Sequence, residues 1–474
     1  MATNRASNDW NVLLITSDEH NPKIMGCAGD STVQTPTMDR LAREGTLFTK
    51  AYCPYPACAP TRQSMITGRY PQEHGQIGNP YYFDERNRTW AHYFHDCGYT
   101  TACIGKMHTN NEWHDHGYDF RLGPLDYDAV IQSHTAAWRD SARHTDGYTG
   151  KVFGAFTPQL CREMFQAEVV DTPQEHRDVY FLEQTKRYLR EHKDQKFFLH
   201  ASFNDPHWPW NVPEPFFSMY DPAAIHWPEL IPGDLNDDWL ANKLYHSEHW
   251  DRLPEDIIRL CRSKYYASTS YLDHTIGQII DLLDDLDLAQ NTLVVYCSDH
   301  GDMAGEKGLW FKDLMFDATT RVPLIARMPG VIPAGRRCEE LISLVDLFPT
   351  FASLVGADAP LPENISGTDL SAAFRGGDCH KQYAYCVYQI DPSTLRPRSF
   401  MIRSPRWKCI RYDMAEEKDR YVLYDMDNDP DEVHNLAHTP AYQEILDQHL
   451  SEMERFLAKC TPSAFNSRIM LQIG

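Results

Sequence analysis

Cys58 opens the stretch Cys58-Ala59-Pro60-Thr61-Arg62, which runs on to Thr67-Gly68-Arg69. Pro60 suits the first position of a short helix and Gly68 suits its stop. Cys58 is then expected at a helix N-terminus, where backbone N–H groups favour negative charge, with Arg62 one turn along the same face. A thiolate of low pKa is the simplest chemistry of that placement. Two further groups of residues could bind a metal. Asp18 ends the apolar run "NVLLITS", and the pair Asp299-His300 ends "TLVVYCS". Two carboxylates and an imidazole at equivalent strand ends make a divalent-metal site. Lys106 and His108 follow "TTACIG", His207 follows "KFFLHASFNDP", and Lys312 lies downstream of Asp299. These are groups able to bind an anion or move a proton.

The elements that must position them read as α/β. The four runs just named are apolar and rich in β-branched residues, continuous rather than alternating, as strands buried on both faces are. Helical patterns lie between them. "TPTMDRLAREG" starts with Thr35 or Thr37 as a cap and stops at Gly45; "STSYLDHTIGQIIDLLDDLDL" places Ile276, Ile279, Ile280, Leu283 and Leu286 at helical spacing. We expect a large, mostly parallel sheet flanked by helices, with the chemistry outside the carboxyl ends of its strands. A Gly-, Pro- and Asp-rich stretch marks a boundary near residue 375. Residues 1–375 form the first domain and 376–474 a smaller C-terminal α+β domain. The latter carries the short runs "RSFMIRS", "RWKCIRYD" and "RYVLYDM" as an antiparallel sheet, and an amphipathic helix with Tyr442, Ile445, Leu446, His449, Leu450 and Met453 on one side.

The net charge of −22 argues against nucleic acid and against an anionic membrane surface as partners. An anionic substrate therefore needs a local positive pocket in a negative protein. No window carries about 18 uninterrupted apolar residues, so no membrane span is expected. The start "MATNRASND" is polar and does not read as a secretory signal, which makes the cytoplasm the expected compartment. Thirteen cysteines, an odd number with no CxxC pair, read as reduced and mostly buried thiols. The patterns Asn87-Arg88-Thr89 and Asn364-Ile365-Ser366 would stay unglycosylated there. The tail "TPSAFNSRIMLQIG" ends in apolar residues that suit docking on a second copy or on its own chain.

The Cys58 stretch resembles the signature of the type I, formylglycine-dependent sulfatases of the alkaline phosphatase superfamily: Cys-x-Pro-Ser-Arg, then Thr-Gly-Arg. Thr61 stands for the usual Ser and keeps the hydroxyl; Cys53, followed by Pro-Tyr-Pro-Ala, does not fit. Five further segments resemble the family in order: "NVLLITSDEH", "GYTTACIGKMH", "NDPHWPW", "YCSDHGDMAGEKGLWFKD" and "YVLYDMDNDPDEVHNLA". The resemblance implies that Cys58 is oxidised by a formylglycine-generating enzyme and that the hydrated aldehyde attacks sulfur through one hydroxyl while the other expels sulfate. It implies that Asp18, Asp299, His300 and the modified Cys58 hold the metal, and that Arg62 holds the formylglycine oxygens. It implies that Lys106, His207 and Lys312 contact the sulfate and that His108 orients the diol or moves a proton. Either His108 or His207 would protonate the leaving oxygen. Calcium is the first expectation for the ion, because sites made of oxygen donors suit it; manganese is the second, because Asp18-Glu19 stands where many members have Asp-Asp and His300, an imidazole, where many have Asn. Glu19 could bind the ion or point away.

The resemblance thus implies a metal-dependent sulfatase acting on a small anionic sulfate ester. The alternative is a phosphonate monoester or phosphodiester hydrolase with the same formylglycine and metal. A binding protein that keeps Cys58 as a thiol, or a thiol hydrolase, leaves the metal residues without a purpose. His114, Asp115 and His116 resemble a structural turn of the family rather than a second metal site, and His74 is likewise structural. Five of the eleven tryptophans lie between Trp208 and Trp250, able to stack on a sugar, cage a quaternary ammonium, or simply pack a long loop.

Overall fold

The computed structural model describes residues 10–79, 83–109, 114–126, 169–170, 176–226, 235, 238–390, 397–414 and 420–460. Its strands are β1 (Asn11–Asp18), β2 (Thr46–Phe48), β3 (Ala51–Tyr52), β4 (Thr100–Gly105), β5 (Phe120–Leu122), β6 (Phe197–Pro206), β7 (Thr292–Ser298), β8 (Leu324–Arg327), β9 (Arg336–Cys338), β10 (Ile342–Ser343), β11 (Ala384–Ile390), β12 (Pro397–Arg403), β13 (Trp407–Tyr412) and β14 (Arg420–Asp425). The large sheet runs β5-β4-β6-β1-β7-β8-β2-β9. Its pairs are parallel except where β8 meets β7 and β2.

The continuous apolar runs are explained by burial on both faces. In β1, Val12 and Leu14 point into one core and Leu13 and Ile15 into the other. β7 repeats this with Val295 and Val294. Since successive side chains alternate, a strand between two cores must be apolar at every position.

Five helices matter for the site: α1 (Pro36–Glu44), α2 (Cys58–Thr67), α3 (Arg177–Glu191), α4 (Glu255–Asp285) and α5 (Gln443–Lys459). Ile276, Ile279, Ile280 and Leu283 of α4 pack with Leu13 and Ile15, as their spacing requires. α4 starts at Glu255, well before the stretch whose spacing marks it as helical. Thr35 occupies the cap position of α1, but neither Thr35 nor Thr37 caps with its side chain. Asp273 of α4 does this instead, accepting from the backbone N–H groups of Thr37 at 3.0 Å and Met38 at 2.8 Å. Helix α2 is buried at every residue. It begins at Cys58, so Pro60 sits in its first turn rather than at the first position, and Gly68 closes it in the left-handed region at φ 66°.

The second sheet is antiparallel, in the order β11-β12-β13-β14, with α5 against it through Leu446, His449, Met453 and Phe456. Its core includes Tyr55, Ala57 and Tyr70, and Val387 N–H donates to the Pro54 carbonyl at 2.9 Å. The small sheet therefore packs on the segment that leads into Cys58. Among the described residues, no helix is long and apolar enough to cross a membrane, and the twelve described cysteines are free thiols.

Candidate active site

β1 and β7 lie side by side in parallel, with Ser17 opposite Ser298, so Asp18 and Asp299 leave the sheet together. The N-terminus of α2 faces that edge. Cys58 Sγ lies 3.4 Å from Asp18 Oδ1 and 3.2 Å from His300 Nε2. One ligating atom from each of Asp18, Cys58, Asp299 and His300 falls within 4.8 Å of all the others. His300 Nδ1 lies 2.9 Å from the Gly301 carbonyl, which accepts its proton and leaves the Nε2 lone pair aimed at the cluster.

Arg62 locks the two carboxylates. Its Nε donates to Asp299 Oδ2 at 2.7 Å, one terminal nitrogen to Asp18 Oδ2 at 3.0 Å, and the other to Ser202 Oγ and the Lys106 carbonyl, both at 2.7 Å. Lys106 Nζ reaches Asp18 Oδ2 at 2.7 Å. Lys312 Nζ lies 3.4 Å from Cys58 Sγ, 3.2 Å from Glu19 Oε2 and 2.9 Å from His207 Nε2. His207 Nδ1 donates to the Trp208 carbonyl at 2.5 Å, so Nε2 accepts from Lys312. His108, held at φ 58°, hydrogen-bonds the Cys58 thiol. All nine residues named from the sequence as site candidates meet in one cleft.

The charges explain one another. Burial and the Cys58 sulfur push the Asp18 carboxyl up, but the permanent charges of Lys106 and Arg62 outweigh them and hold it below the usual carboxylate range. Burial likewise opposes ionisation of Cys58, yet the ammonium groups of Lys312 and Lys106 bring its thiol well below the ordinary value. Burial, aided by Lys312 and Lys106, lowers His207 to about 4, so its imidazole is neutral at neutral pH. Burial raises Glu19 against the pull of Lys312.

Residues 10–357 match the family model described as "Sulfatase". The chain belongs to the sulfatase family. Residues 305–459 also match the model "N-sulphoglucosamine sulphohydrolase, C-terminal". This sulfatase is 31% identical to iduronate 2-sulfatase of Mus musculus over 404 residues, 75% of this chain and 70% of that protein. It is 30% identical to choline-sulfatase of Rhizobium meliloti (strain 1021) over 442 residues, 91% of this chain and 83% of that one. The crystal structure of a phosphonate monoester hydrolase of Agrobacterium radiobacter superposes with a TM-score of 0.77 at 23% identity, covering 95% and 96% of the two chains, a likeness of fold. The protein is an enzyme that hydrolyses sulfate esters.

Membership of the sulfatases implies a divalent metal and a formylglycine. The residues present fit a metal. Asp18, Asp299 and the Nε2 face of His300 form a hard, buried donor set around Cys58, which would be the precursor of the modified residue. Glu19 adds a second observation: its Oε1 is fully buried and has no hydrogen-bond partner among the described residues, while Oε2 accepts from Lys312. Its backbone N–H also donates to Asp299 Oδ1 at 3.2 Å.

His114 pairs with Glu85 at 2.6 Å and His116 with Thr109 at 3.1 Å, in a turn rather than a metal cluster. His74 is buried on Ser64 at 2.9 Å. Of the five tryptophans, Trp210 and Trp250 are buried in the core, Trp239 is half-buried against it, Trp227 lies outside the described residues, and Trp208 is half-buried, stacked on His207 with ring centroids 5.5 Å apart. Ser202 and Asn204 escape a sequence reading. Ser202 accepts from Arg62 and Thr16 and donates to the Lys106 carbonyl at 2.6 Å; Asn204 Oδ1 receives Lys106 Nζ at 3.5 Å. Their only signal is polarity near the end of β6.

Proposed function

We propose that this sulfatase cleaves a small sulfate monoester with Cys58, converted to formylglycine, as the source of the nucleophile and with calcium held by Asp18, Asp299 and His300. The observation that carries the reading is the position of Cys58 Sγ, within 3.4 Å of Asp18, His300 and Lys312 at once. In the modified, loaded enzyme the ion and the hydrated aldehyde supply charge neutralisation and an activated hydroxyl. The chain's own residues do the rest. Arg62 holds both metal-binding carboxylates and fixes the spacing between α2 and the sheet edge. Lys106 and Lys312 offer ammonium protons to the sulfate oxygens and focus positive potential in a protein of charge −22. His207, neutral and accepting from Lys312, takes the Lys312 proton at Nε2 and gives it up there to the leaving oxygen, leaving Lys312 as the neutral amine, and His108 serves Cys58 from the other side.

The half-buried ring of Trp208, against His207, gives the alcohol portion a flat wall suited to a sugar or a quaternary ammonium. Calcium is favoured over manganese because carboxylates dominate the donor set. Maturation by a formylglycine-generating enzyme belongs to the same proposal. So does self-association through the C-terminal tail, which lies outside the described residues. A reducing, cytoplasmic setting is also part of it and rests on the unpatterned cysteines.

The test is release of inorganic sulfate from a panel of choline sulfate, a 2-O-sulfated uronate disaccharide and an aryl sulfate, with a phosphonate monoester alongside. We expect one of the sulfate esters to have the highest kcat/KM and Cys58→Ala to abolish its turnover. Highest kcat/KM on the phosphonate monoester would instead place the enzyme among the phosphonate monoester hydrolases whose fold it shares.

A further inference from the structure

The C-terminal sheet sends a fully buried ammonium, Lys408 of β13, into the main body of the protein. Its Nζ lies 3.0 Å from Asp317 Oδ1 and 2.6 Å from Glu432 Oε1. Glu432 is buried in the loop after β14 and sits at φ 58°; its Oε2 accepts the Asp317 backbone N–H at 2.7 Å. Tyr52 donates to Asp317 Oδ2 at 3.2 Å, and Arg403 of β12 donates to Tyr52 Oη at 2.9 Å. Charges this deep cost desolvation that only well-placed partners offset. The cluster meets that demand with two acids, a lysine, and Arg403 and Arg321 at its edge.

What the cluster holds is a single turn, Asp317–Thr320, and that turn touches both halves of the site. Thr319 carbonyl accepts the N–H of Gly301, the residue after His300, at 2.8 Å. The approach is so close that a Cβ on Gly301 would lie 2.0 Å from the Ala318 carbonyl oxygen. Thr320 carbonyl accepts the N–H of Cys53 at 2.8 Å, at the start of the segment that ends in Cys58. Gly301 also supplies the carbonyl that fixes the His300 tautomer. One four-residue turn thus sets where the imidazole and the nucleophile stand relative to each other.

We propose that Lys408, Glu432 and Asp317 are positioning residues through which the C-terminal sheet fixes His300 against Cys58. The small domain is then a working part of the catalytic centre, though it touches no reacting atom. This rests on the reading of His300 as a metal ligand and Cys58 as the nucleophile precursor.

The test uses the full chain with Glu432→Gln, which keeps the shape, and Lys408→Met, which keeps most of the length. Leu423→Ala, in the same sheet and fully buried but in the core on the face opposite Lys408, controls for lost stability. Calcium affinity is measured by calorimetric titration of protein with Cys58 unmodified, and kcat and KM on modified protein. In folded Glu432→Gln and Lys408→Met we expect the calcium Kd to rise about tenfold and kcat to fall about tenfold, the scale seen when the support of a metal ligand is removed. Leu423→Ala should lower the melting temperature and leave both parameters near wild type. Wild-type calcium affinity and kcat in folded Glu432→Gln would overturn the proposal, and that variant decides alone should Lys408→Met not fold. Failure of the wild type itself to bind calcium or release sulfate would overturn the reading of the site, and the proposal with it.

Discussion

The guanidinium of Arg62 reaches Asp299 and Asp18 with separate nitrogens while its third nitrogen binds Ser202 and the Lys106 carbonyl. No single ammonium can do this, because its donors radiate from one point. Arg62→Lys should leave one buried carboxylate unpaired and cost about 3 kcal/mol of stability, measured by denaturant unfolding. It should also lower kcat by about 10- to 100-fold, since the orientation of two metal-binding carboxylates depends on it. Unchanged kcat in the folded variant would show that the fork is dispensable. Lys106 and His207 follow apolar runs that end at the same sheet edge, but their roles, and Lys312 altogether, are legible only through segments that resemble the family. Ser202 is not legible, because a small hydroxyl inside "HASFND" carries no sign that it will bridge Arg62 to Lys106.

At the scale of the element, β1, β4, β6 and β7 read cleanly from sequence because burial on both faces favours apolar residues along each of them, whereas the short outer strands β2, β5, β8 and β9 leave too few residues to mark a run. Helix α2 reads differently. It has no exposed face, so no period marks it, and only Gly68 and the Cys58 signature locate it. The start of α4 is obscured for a related reason: Arg262, Lys264, Ser268 and Asp273 are polar yet buried, which breaks the apolar spacing. The end of β4 carries a constraint that can be tested. Gly105 sits at φ 112°, and a Cβ there would lie 1.7 Å from the Ser202 carbonyl oxygen, the group that accepts the Lys106 N–H at 3.2 Å. Gly105→Ala should destabilise the fold by about 2 kcal/mol or more and move Lys106, lowering kcat/KM. Gly29→Ala, at φ 110° but with nothing within 4 Å, should share the strain and spare the activity. Equal effects from both would show that the close approach to β6 does not matter.

At the scale of the whole molecule, a chain of net charge −22 gathers Arg62, Lys106 and Lys312 around two strand ends. The counterweights, Asp18 and Asp299, are buried and lie where an ion would share them. Chelation should therefore lower the melting temperature. Calcium at about 100 times its Kd should restore about 2.7 kcal/mol, because the folded state alone presents the donor set. A scan that is the same with and without calcium would contradict a metal site here.

The central claim is that Cys58 acts after conversion to an aldehyde. It is tested most directly by peptide mass spectrometry across Cys58, on protein made with and without a formylglycine-generating enzyme, alongside kcat for a sulfate ester. The account predicts a loss of about 18 Da at Cys58, the change from thiol to aldehyde, with kcat rising in proportion to the converted fraction. Full activity from protein whose Cys58 remains a thiol would contradict it.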